Sequence, residues 1–135
     1  MAERILYHGT TEDIGNSNAD IFGKVNYESP DISGNLTDDP NYAWDKAIVR
    51  ARKLGKNPCV ITFSLPEEII VDHGPIALEG TGLHGFSTNL HANPKEIPDD
   101  FLDRAYLPSR DLLEENRAGY VYRVPRKFAI KVENE

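Results

Sequence analysis

The clearest rhythm in the chain lies between Asp39 and Gly55. Ala43, Trp44, Ala47, Ile48, Ala51 and Leu54 recur at helical spacing while Asp45, Lys46, Arg50 and Lys53 fall on the other side, which predicts an amphipathic helix with one buried stripe. Its ends carry their own signals. Asp39 offers a carboxylate to an otherwise unpaired N–H, Pro40 suits the first helical position, and Gly55 suits a left-handed stop.

Shorter apolar runs flank this helix. Residues 4 to 7, Arg-Ile-Leu-Tyr, read as a strand that ends in the turn-forming run His8-Gly9-Thr10-Thr11. Residues 59 to 65 and 69 to 72 are rich in β-branched and aromatic side chains and read as strands broken near Pro66-Glu67. Residues 12 to 36 are crowded with Asn, Asp, Gly and Ser, so a long loop is expected there, with one turn of helix near Ile14. Residues 73 to 98 carry repeated Gly and Pro without periodicity and read as an extended loop that meets a ligand or acceptor. Ser109 can cap a short helix over residues 110 to 117 that Gly119 stops. Residues 120 to 124 and 127 to 132, on either side of Pro125-Arg126, read as an antiparallel hairpin. Mostly short strands around one good helix predict an α+β fold, a single domain over residues 1 to 135 with a short-stranded split sheet and long loops.

Composition narrows the function more than the fold. With 135 residues, 39% of them hydrophobic, a chain of this length can bury roughly two thirds of its unfolded surface without a disulfide or structural metal. No apolar run approaches the ~20 residues that cross a bilayer, and the start lacks a basic-then-apolar leader, so no membrane contact is expected. The single cysteine, Cys59, has no partner for an internal disulfide and reads as a buried strand residue, which fits a cytoplasmic setting. Net charge is −7, and nine acidic against two basic side chains before position 46 account for all of it. That acidity argues against sequence-independent nucleic-acid binding, and Lys46, Arg50, Arg52, Lys53 and Lys56 read as a solvated helix face. His73, His84 and His91 share one stretch but match no zinc spacing, so no metal is expected. Neither GxGxxG nor GxxxxGK[ST] occurs, which removes the Rossmann and P-loop nucleotide sites.

The run Tyr7-His8-Gly9-Thr10 brings an imidazole, a hydroxyl and an approachable glycine backbone to one strand end. Together, Leu6-Tyr7-His8-Gly9-Thr10 resembles the first-strand motif of the ADP-ribosyltransferase-like superfamily. Gly34-Asn35-Leu36-Thr37-Asp38-Asp39-Pro40 resembles its second strand leading into a helix, and Pro58-Cys59-Val60-Ile61-Thr62-Phe63 through Ile69-Ile70-Val71-Asp72 its third strand and turn. The resemblance spans residues 4 to 73 and is to small bacterial enzymes of the rifampin ADP-ribosyltransferase and tRNA 2′-phosphotransferase kinds.

That resemblance implies NAD as co-substrate, with His8 bonded to a ribose hydroxyl and the Gly9 backbone at the nicotinamide amide. Thr10, Asn35 and Thr37 would share the cofactor site. Asn35 stands where many members place a stacking Tyr, which leaves Tyr27, Tyr42 or Trp44 to cover the nicotinamide, and Trp44 lies on the apolar stripe of its helix. The nicotinamide–ribose bond breaks through an oxocarbenium-like transition state that a nearby carboxylate favours. Asp72, just past the third strand as in the rifampin-modifying type, is the expected catalytic carboxylate, with Glu114 and Glu115 as fallbacks. The acceptor stays open among protein, nucleic acid and small molecule. Two further readings stay open: RNA 2′-phosphotransferase chemistry, which the shortage of basic residues before Lys46 disfavours, and a non-catalytic nucleotide- or protein-binding module of the same fold.

Overall fold

A computed structural model describes residues 2–25, 32–33, 36–74, 82–88 and 120–135. The chain runs β1 (Glu3–Thr11), α1 (Glu12–Gly15), β2 (Ile21–Val25), β3 (Ile32–Ser33), β4 (Leu36–Thr37), α2 (Pro40–Leu54), β5 (Pro58–Pro66), β6 (Ile70–Gly74), β7 (Gly85–Thr88), β8 (Tyr120–Val124) and β9 (Ala129–Asn134). A six-stranded antiparallel sheet has the order β6-β7-β4-β1-β5-β9, and a three-stranded sheet the order β3-β2-β8. The fold is α+β.

Strand β1 sits inside the larger sheet and pairs with β5 in unbroken register from Glu3↔Pro66 to Thr11↔Pro58. Because side chains alternate across a strand, β1 serves two covers. Leu6 points to the face where it clusters with Ile61, Phe63 and Leu65 of β5, Leu36 of β4 and Phe86 of β7, joined by Ile21 and Val124 from the second sheet. All of these are at least 96% buried, and each such side chain contributes roughly 1.5–3 kcal/mol of burial. On the opposite face α2 lies across Gly9 and Val60, with Ala43 and Ala47 buried and Tyr7 and Trp44 packed alongside.

The signals that predict α2 act as expected. The Asp39 side chain accepts from Asn41 N–H at 2.9 Å, Pro40 is the first helical residue, and Gly55 closes the helix at φ 65° with its N–H on the Ala51 carbonyl. The apolar stripe is narrower than its sequence: Ala43, Ala47 and Ala51 are buried, whereas Leu54 is 47% exposed. Cys59 is fully buried, and that burial pushes its thiol pKa up.

The run His8-Gly9-Thr10-Thr11 is strand rather than the expected turn: β1 continues through it, paired with β5 as far as Thr11↔Pro58. Three further expectations need correction. Residues 12 to 36 do contain the turn of helix at Ile14, but they also hold β2, which pairs along its whole length with β8. Ile21, Phe22 and Gly23 are all buried, so β2 lacks the alternation that marks a strand with one wet face. Within residues 73 to 98, Gly85–Thr88 is a strand rather than loop, with all four residues buried between β4 and β6. Residues 75–81 and 89–98 of that stretch, and the helix expected over 110–117, lie outside the described residues.

The third correction concerns the C-terminal strands. They form no hairpin: β8 belongs to the second sheet and β9 to the edge of the first, paired with β5. Pro125 has no N–H to donate, and Arg126 turns the chain through the short 3-10 segment Arg126–Phe128. Arg126 N–H donates to Asp20 Oδ1 at 2.7 Å, and its guanidinium donates to the carbonyls of Ile14, Gly15 and Ala19 at 2.8–3.0 Å. One arginine therefore holds the end of α1 and the start of β2 against the crossing between the two sheets.

Candidate functional site

Residues Leu6, His8 and Thr10 share one face of β1. Leu6 is 0% exposed and Thr10 2%, yet His8 between them is half-buried. Leu6 lies under the second sheet, and Thr10 sits opposite Cys59, whose sulfur faces Gly15 of α1. His8 is therefore a polar, half-buried position between two closed ones.

Gly9 serves the other side. A Cβ there would stand 2.1 Å from the Ala43 carbonyl oxygen and 3.0 Å from Ala47 N, both backbone atoms of α2. The glycine is required by the approach of the helix, and its open Cα side belongs to α2. Thr37 pairs with Tyr7, is 4% exposed, and its hydroxyl accepts from Asp39 N–H at 3.2 Å ahead of α2. Thr10 is enclosed. Asn35 lies outside the described residues, as do Tyr27, His91, Glu114 and Glu115.

Asp72 reaches the same face as His8 by register. Tyr7 pairs with Thr37, so the next step along β1 sets His8 level with Leu36; Leu36 pairs with Phe86, and Phe86 with Asp72. Three strand spacings separate the two residues, about 14 Å between Cα atoms. Leu36 and Phe86, which lie between them, are buried in the core cluster with Ile21 and Val124.

The Asp72 carboxylate is half-exposed and engaged at both oxygens. Oδ1 accepts from Gly74 N–H at 2.8 Å, and Oδ2 lies 3.1 Å from His84 Nδ1. The Gly74 N–H, then the His84 ring, and more weakly the charge of Arg4 hold its pKa below the ordinary carboxylate value. His84 stacks beside Phe86, with ring centroids 6.3 Å apart, and the Arg4 guanidinium lies over the same phenyl ring at 5.3 Å. Arg4 is held in turn by a two-pronged pair with Glu67, 2.9 Å on each arm.

A chain of contacts thus runs Glu67–Arg4–Phe86–His84–Asp72 along the β6–β7 end of the sheet. His8 and Asp72 are legible from sequence; His84 and Arg4 as their company are not. The available signal was Arg4 itself, a charge in register with the buried Leu6 and Thr10, which calls for a partner. Among the described residues, no three His, Cys, Asp or Glu side chains gather closely enough to hold a metal ion. No helix among them is long and apolar enough to cross a membrane.

Comparison with models of protein families, with curated proteins and with solved structures finds no match to this chain.

Proposed function

We propose that this chain is an NAD-dependent ADP-ribosyltransferase, which moves ADP-ribose from NAD to an acceptor and releases nicotinamide. The observation that carries the reading is the pairing of a half-open His8, in the middle of a buried strand face, with an ionised Asp72 on the same row and face. NAD supplies a ribosyl donor whose bond to nicotinamide breaks with positive charge developing on the ribosyl carbon. The Asp72 carboxylate is a fixed negative charge of the kind that favours such a state. The His8 ring offers a hydrogen bond to a ribose hydroxyl. The fit to a dinucleotide rests on these residues, since Thr10 is enclosed and Thr37 is engaged at the start of α2.

The test is a binding titration with NAD beside an assay of nicotinamide release. His8→Ala should weaken NAD binding about tenfold, the worth of one hydrogen bond, with little change in melting temperature. Asp72→Asn should slow nicotinamide release by ~10²–10³ while changing NAD affinity far less. A wild-type protein that ignores NAD would sink the reading. A second reading, a non-catalytic nucleotide-binding module, is favoured by the internal use of Thr10 and Thr37, and NAD binding without nicotinamide release selects it. Release only with 2′-phosphorylated RNA selects the phosphotransferase instead.

A further inference from the structure

We propose that His84 is the base that takes the proton from the acceptor, with Asp72 as the residue that positions its ring. The inference rests on the ribosyl-transfer reading of the site and deepens it, because it assigns the second half of the reaction.

Its basis is the geometry at Asp72. With Oδ1 on the Gly74 N–H, the remaining oxygen, Oδ2, faces His84 Nδ1 at 3.1 Å. A carboxylate accepts only, so this contact places a proton on Nδ1, and the neutral ring then carries its lone pair on Nε2. No described residue bonds Nε2, and the His84 side chain is 47% exposed, so a proton donor can reach it from solvent. The ring plane is held from a second direction by Phe86. Among the described residues, the charged groups facing this imidazole are Asp72 of β6 and, across the phenyl ring, Arg4 of β1. The guanidinium of Arg4 is already paired with Glu67 from the 3-10 segment Glu67–Ile69. Asp72 stays ionised where imidazoles titrate, since its pKa lies below the ordinary carboxylate value.

The step balances as follows. The acceptor, written X–H, forms an X–C bond at the ribosyl carbon with its own lone pair. The C–N bond to nicotinamide breaks, and its electron pair leaves with nicotinamide, cancelling the pyridinium charge. The proton of X–H passes to His84 Nε2 and then to water. The products are ADP-ribosylated X, nicotinamide and one proton, and no oxidant or metal is required. Positioned bases of this type contribute roughly 10²–10⁴ in rate.

The experiment joins a structural and a kinetic readout. Imidazole ¹⁵N–¹H spectra of wild type should show neutral His84 with its proton on Nδ1, a preference that Asp72→Asn removes. His84→Gln should keep the wild-type affinity for NAD and lose on the order of 10²–10⁴ in kcat for transfer. Neutral His84 with its proton on Nε2 in wild type would overturn the inference alone, as would a His84→Gln variant with wild-type kcat. A wild-type protein that fails to bind NAD overturns the ribosyl-transfer reading and the role of His84 together, and that failure is visible in the titration before any variant is made.

Discussion

On one face of β1, Gly9 touches the backbone of α2 where Ala43 and Ala47 leave room for it; on the other, Leu6 meets Ile61 and Phe63 beneath Ile21 and Val124 of the second sheet. At Gly9 the first face is closed by close approach of backbones. The second is closed by large side chains that interdigitate and can partly relax. The difference explains where a ligand side chain can stand. The helix face has no space beside Gly9, whereas the sheet–sheet face opens at His8, one residue earlier in the chain. Adjacent residues of one motif therefore stand in opposite settings: Gly9 packs against α2, and His8 is half-buried on the other face.

The comparison breaks most forcefully at Phe63, which is fully buried at the centre of the sheet–sheet face. Phe63→Ala should cost about 3–5 kcal/mol in chemical denaturation, because both the transfer term and a residual cavity count against it. A cost below ~1 kcal/mol would mean that this face collapses readily and is not the main core. On the helix face the reverse change is the probe. Gly9→Ala should cost about 1–3 kcal/mol by forcing α2 off the sheet, the usual range for overpacking. Circular dichroism should show α2 retained while the melting temperature drops; an unchanged melting temperature would show that α2 rides freely and the contact is loose.

Smaller changes sharpen the contrast. Asp39→Ala removes the cap on Asn41 N–H and should cost about 1 kcal/mol, a loss confined to the helix cover. The smallest effect concerns the tie between the two covers. Lys56, just past α2, pairs with Asp13 of α1 at 2.7 Å. The Asp13 carboxyl is lowered from 3.8 to about 2, chiefly by that bond to Lys56 and then by the Thr11 hydroxyl. Since the folded pKa lies below the unfolded value, the stability this pair contributes is full above pH 3.8 and is lost as pH falls through about 2. Both side chains are more than a third exposed, so screening reduces the effect to a few tenths of a kcal/mol. Asp13→Asn should lower stability near neutral pH by that amount, leave it unchanged below about pH 2, and so flatten the acid limb of the stability curve.

Much of the candidate site was visible along the chain. His8 and Asp72 stand out because one ends an apolar run in His-Gly-Thr and the other closes Ile69-Ile70-Val71. Their environment was not visible. Whether Asp72 meets His84 depends on the pairing of β6 with β7, and β7 itself, four buried residues without alternation, carries no strand signal of its own. The glycine beside His8 was legible as a close approach, but not what approaches: α2 rather than a ligand takes that side.

By itself the sequence determined the elements whose bonds are local. The span of α2, its Asp39 cap and its Gly55 stop follow from periodicity and termini, since every helical hydrogen bond closes within four residues. Residues 4 to 7 of β1 and the strand β5 follow from composition, as does the burial of Cys59, whereas the continuation of β1 through His8-Gly9-Thr10-Thr11 does not. Tertiary structure alone decided which strands are neighbours: that β2 joins β8, that β8 and β9 part into different sheets, and that His8 and Asp72 share a row. Those contacts link residues as far apart as Asp20 and Arg126, and strand pairing over such distances leaves no periodic mark in the residues that make it.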